Sequence, residues 1–166
     1  MLHARGGVGT PVGIIGGTLM LAAHDRVGFG VGAGTNAHGL QAAGLVRFRP
    51  LVWQGQNDLL RAVAIELSVS VGPGSGGKLP AVDGGEGNGL SYMWNRIAWV
   101  QLEGQYEVMK ASGVSFLAGI GMALPVAHSE NAICRATLAD VTCANAKPPN
   151  GPEPALSISG AVGYAF

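Results

Sequence analysis

The sequence predicts an all-β fold: an antiparallel up-and-down transmembrane β-barrel. Three observations carry this. Apolar and polar residues alternate with a period of two over long stretches. The alternating stretches run for about 9 to 14 residues, against a usual strand mode of about 5 or 6, which suits tilted strands crossing a bilayer. Tight turns alternate with long loops along the chain. The composition of the 166 residues fits: 48% are hydrophobic, 12% are charged and 28 are glycine. Glycine costs about 1 kcal/mol per helical position, so a helical bundle is excluded. Mean hydropathy is +0.31. Ten Lys and Arg balance ten Asp and Glu, which argues against nucleic acid as a partner. Residues 6–23 carry no charge and are the best candidate for a spanning helix, but six glycines and Pro11 make them a poor one and a poor signal peptide.

Seven strands are expected, near 11–23, 26–34, 40–53, 58–72, 91–109, 113–124 and 155–166. The 11–23 strand alternates least clearly. In 26–34, Val27, Phe29, Val31 and Ala33 alternate with glycines. In 40–53, Ala42, Val46, Phe48 and Val52 oppose Gln41, Arg47 and Arg49. Val63, Ile65, Leu67, Val69 and Val71 then oppose Ala64, Glu66, Ser68 and Ser70. In 91–109, Ala98, Val100, Leu102, Tyr106 and Val108 oppose Gln101, Glu103, Gln105 and Glu107. Val114, Phe116, Ala118, Ile120, Met122 and Leu124 form the apolar face of 113–124. Leu156, Ile158, Val162, Tyr164 and Phe166 form that of the last strand. The connections 24–26, 54–57 and 110–113 are tight, while 73–90 and 125–154 are long loops.

With the apolar faces outward, Arg47, Arg49, Glu66, Glu103 and Glu107 line the interior on three consecutive strands. The expected arrangement is an ion network filling a narrow lumen, with Arg47 diagonal to Glu66. Arg61 and Arg96 fall on the lipid-facing parity near strand ends, where long side chains reach the interface.

The chain ends in a phenylalanine, Phe166, with Tyr164 two residues earlier and Val162 and Ile158 at further even steps. This resembles the terminal strand of bacterial outer-membrane proteins. The phrases Val27-Gly-Phe29-Gly-Val31-Gly and Gly44-Leu-Val-Arg47-Phe48-Arg49-Pro50 look like the small OmpA/OmpX-type eight-stranded barrels. The resemblance implies a single barrel domain over 1–166 in the Gram-negative cell envelope, with its C-terminus periplasmic. It implies recognition by the outer-membrane insertion machinery through Ile158, Val162, Tyr164 and Phe166. Outer-membrane lipid and lipopolysaccharide would surround it, and the long loops would be extracellular. It carries over no catalytic residue and no cofactor. Bacterial single-chain barrels have an even number of strands. Seven visible strands therefore leave 1–10 as an outer loop and imply a missing first strand and signal peptide upstream.

Cys134 and Cys143 fall in the longest loop, where an oxidising compartment favours a loop-stapling disulfide over a metal site. His3, His24, His38 and His128 are scattered and expected to be exposed. His128-Ser129-Glu130 is the one run with nucleophile chemistry, but adjacent residues point different ways. The stretch 72–78 has phosphate-loop spacing, yet Leu79 replaces the hydroxyl residue and no helix follows, so it reads as a loop. The expected function is a non-catalytic outer-membrane barrel of structural or surface-interaction type. A lipid-modifying membrane enzyme and a soluble ligand-binding barrel are the alternatives.

Overall fold

The computed structural model describes residues 1–55, 58–75, 90–130, 132–136 and 151–166. These hold β1 (Leu2–Val8), β2 (Ile15–His24), β3 (Val27–Asn36), β4 (Gly39–Gln54), β5 (Leu59–Ser75), β6 (Leu90–Lys110), β7 (Val114–His128), β8 (Ala132–Ala136) and β9 (Ala155–Tyr164). Every pairing is antiparallel. Neighbours in sequence pair from β1 to β7, β7 pairs with β9, and β9 returns to β1. Eight strands thus close a barrel, and no sheet edge remains between β1 and β9.

The closing strand corrects the count of seven. Residues 1–10 are not an outer loop, because Leu2–Val8 pairs with β2 on one side and with Tyr164–Ile158 on the other. The eighth strand lies inside the chain, so closure calls for no strand upstream. β1 is hard to see because it has seven residues, two of them Gly6 and Gly7. Its alternation is nevertheless present: Leu2, Ala4 and Val8 are exposed, while His3 and Arg5 are buried. The expected 11–23 strand starts later, at Ile15, because 9–14 forms the turn between β1 and β2.

Both the start of β1 and the end of β9 lie at the end of the barrel that carries the turns after β2, β4 and β6. The opposite end holds the connections after β1, β3, β5 and β7. Two of these are short, so the expected loop asymmetry applies to one side of that end. The long loops are also shorter than expected. β5 continues to Ser75, β7 continues to His128, and β8 pairs with the start of β6. Gly72 and Gly74 of the phosphate-loop-like stretch pair with Ile97 and Trp94 as strand. Lys78 lies outside the described residues.

Pro50 costs β4 one ladder hydrogen bond, and the register with β5 shifts between Phe48 and Leu51 at that point. Polarity is inverted relative to a soluble barrel. Leu67 is 49% exposed and Leu102 57%, while Glu66 and Glu103 are 1% and 2% exposed. Val63 and Val100 are half-buried on the same outward parity.

Candidate functional site: the charged lumen and the apolar wall

β4, β5 and β6 present their inward residues in register. Arg47 stands opposite Glu66, and Glu66 stands opposite Glu103. The Arg47–Glu66 pair is thus directly cross-strand, not diagonal. Arg47 donates from Nε and Nη2 to Glu66 Oε2, at 3.1 and 2.8 Å. Its Nη1 lies 3.8 Å from Glu107 Oε1. Arg49 donates from Nε to Glu107 Oε2 at 2.8 Å and from Nη2 to Oε1 at 3.3 Å.

The fixed charges of the cluster balance through Arg5, which the sequence reading missed. Arg5 reaches from β1 across the lumen to β5 and β6. Its Nη1 donates to Glu66 Oε1, and its Nη2 donates to Glu103 Oε1 at 2.7 Å. Three arginines then meet three glutamates. Such burial costs each ion several kcal/mol of desolvation, which only close pairing and further hydrogen bonds offset. Arg5 Nε and Arg47 Nη1 find no hydrogen-bond partner among the described residues, while Glu103 accepts the most donors. It also accepts from Ser157 at 2.9 Å, Ser159 at 2.5 Å and Gln105 at 3.0 Å. The signal for Arg5 was the alternation of His3 and Arg5 with Leu2 and Ala4, over too few residues to declare a strand.

Small inward residues make room for this cluster. A Cβ on Gly119 would collide with Glu103 Oε1, and one on Gly163 would collide with the His3 ring. His3 is buried, contrary to expectation, and its Nε2 lies 3.0 Å from Ser115 Oγ. His24, His38 and His128 are exposed.

Toward the other end, Gln41 donates to Ser70 at 3.0 Å and Ser68 donates to Gln101 at 2.8 Å. The β1–β2 turn folds inward above them, burying Thr10, Pro11 and Val12. Thr10 Oγ1 donates to the Gly13 carbonyl, and Gly13 has a φ of 83°, open to glycine without strain. Val12 sits against the inward side of β3, where Gly32 supplies no side chain to oppose it. The lumen is therefore occupied along its length by side chains and this turn.

The outer wall is apolar. The exposed aromatic residues Phe29, Phe48, Trp53, Tyr106, Phe116 and Tyr164 fall on the half of the strands nearest the short-turn end. Aromatic residues in such a band suit a membrane–water interface, where one ring edge meets lipid and the other meets water. Ile158, Val162, Tyr164 and Phe166 all point outward, Phe166 being 88% exposed. Comparison with protein-family models, with curated proteins and with solved structures gives no match. The reading of function therefore rests on this geometry.

His128 closes β7, and its ring packs edge-on against Trp94 with centroids 5.8 Å apart. Its Nδ1 lies 3.0 Å from the Ser129 backbone oxygen, and Ser129 Oγ has no hydrogen-bond partner among the described residues. The base does not touch the hydroxyl it would have to activate. Among the described residues no group of three His, Cys, Asp or Glu side chains is placed to hold a metal. Cys134 lies on β8; Cys143 lies outside the described residues, so the expected disulfide does too.

Proposed function

We propose that the chain is an integral outer-membrane β-barrel of structural or surface-interaction type, without catalysis. The observation that carries this reading is the polarity of the closed barrel, apolar outside and charged within. In water such a wall would expose far more contiguous apolar surface than soluble monomers tolerate, and in lipid it needs no further partner. The aromatic band at the short-turn end supports a membrane interface there. The short-turn end then faces the periplasm, and the loops after β5 and β7 face outside among lipopolysaccharide. Phe166 and the outward residues before it would engage the insertion machinery. A Cys134–Cys143 disulfide would staple the last outer loop. A lipid-modifying enzyme finds little support in the separation of His128 from the Ser129 hydroxyl.

Membrane fractionation combined with gel mobility before and after heating tests the proposal. The expected result is recovery in the outer-membrane fraction and a compact unheated band that shifts on boiling. A monomer that stays folded in detergent-free buffer would overturn it in favour of a soluble barrel. Release of fatty acid from lipid A by the purified protein would overturn the non-catalytic part alone.

A further inference from the structure

At the short-turn end, β5 and β6 of the outer wall carry two cations that the lumen network does not use. Arg61 on β5 stands opposite Val108, and Lys110 on β6 stands opposite Leu59. Both share the outward parity of Leu67 and Leu102, so they are diagonal neighbours on one face, at the short-turn end. Neither takes part in an ion pair among the described residues, although Asp58 begins the same strand end. Arg61 Nε is buried and has no hydrogen-bond partner among the described residues.

The surroundings give this pair a shape. Trp53 stands directly opposite Arg61 on β4, and Tyr106 lies diagonal to it on β6. β4 and β6 are separated by the whole of β5, yet the two rings lean together to a centroid distance of 6.2 Å. They therefore cover β5 on the side of Arg61 nearer the middle of the wall. The guanidinium is turned the other way: a Cβ on Gly55, in the β4–β5 turn, would lie 3.1 Å from Arg61 Nε. A cation on the lipid face is costly at mid-bilayer and nearly free at the interface, which is where this geometry directs it.

We propose that Arg61 and Lys110, under the Trp53–Tyr106 pair, form a binding site for the phosphate head group of an anionic phospholipid in the short-turn leaflet. This rests on the membrane reading above. The acyl chains would lie along the apolar wall beyond the rings, and the phosphate would take the unpaired guanidinium and ammonium donors. Each basic group near an anionic lipid surface adds about five-fold to affinity, so two adjacent ones give measurable selectivity.

The test uses the full chain folded into phosphatidylcholine vesicles, with insertion verified by the heat-modifiable band. The fraction of motionally restricted spin-labelled phosphatidylglycerol is compared with that of spin-labelled phosphatidylcholine. The wild type should prefer phosphatidylglycerol several-fold, the more so at low salt. The double variant Arg61→Gln/Lys110→Gln should insert equally well and lose the preference. Arg26→Gln, which removes a cation from the β2–β3 turn, should keep it. Equal restriction of both lipids by an inserted wild type would overturn the site and leave the membrane reading standing. So would a preference unchanged in the double variant, or lost equally in Arg26→Gln. Failure of the wild type to insert would overturn both.

Discussion

Glu66 accepts from Arg47 on the adjacent strand and from Arg5 on the far wall, with about 1% of its side chain exposed. Replacing it with Ala leaves two guanidiniums short of a partner in a site that water does not reach. The expected loss is about 3 kcal/mol, read from denaturant unfolding in detergent. Removing Arg47 and Glu66 together in favour of apolar residues should recover part of that loss, and strictly additive losses would show that the two do not interact. A second prediction concerns space. Gly119→Val puts a branched side chain where Glu103 lies, so the variant should fail to give a compact unheated band, while Gly104→Val on the outward face should give one. Parity alone identified Arg47, Arg49, Glu66, Glu103 and Glu107 as inward. It could not reveal that Ser157, Ser159 and Arg5 converge on the same carboxylates, since those contacts join residues 54 to 98 positions apart on strands that do not pair.

At the scale of elements, β1 is the strand on which closure depends, and also the one that composition hid. All seven of its residues pair with β9, Ala4 standing opposite Val162, and the first five pair with β2 as well. Both are outward-facing, so Ala4→Cys/Val162→Cys should form a disulfide on mild oxidation that survives as one band after boiling without reductant. Ala4→Cys/Ala161→Cys should not, because one step along β9 moves the second thiol to the inner face. Deleting Leu2–Val8 should abolish the heat-modifiable band altogether, since it would leave β2 and β9 with unpaired edges, which in lipid would cost several kcal/mol per orphaned group. The long strands β4 to β7 were legible because eleven or more alternating residues leave little ambiguity. β1 was not, and neither were the extensions of β5 to Ser75 and β7 to His128. There, glycine and proline obscure the period although the backbone still pairs.

For the whole molecule, the legible property was polarity. Alternation alone fits a barrel of either polarity; long strands, low charge and uneven loops favoured the inside-out one, and the exposed Leu67 and Leu102 beside buried Glu66 and Glu103 follow that pattern. Filling the lumen is a separate matter, set by the β1–β2 turn and by glycines on the inner wall. In planar bilayers the intact protein should therefore show little or no conductance. Large steady channels would mean a wider lumen than side chains and the Thr10–Val12 turn can occupy.

The direct juxtaposition of Glu66 and Glu103 has one more consequence, for the order in which the protein assembles. Two carboxylates facing each other across neighbouring strands repel, and the β5–β6 hairpin carries that repulsion from the moment it forms. Arg47 relieves Glu66, but among the described residues Glu103 receives a guanidinium only from β1, the first strand of the described chain, whose far edge pairs with the last. A half-built sheet is thus electrostatically discouraged from settling. The interior charges are offset only in the closed barrel, where the first and last strands of the described chain meet.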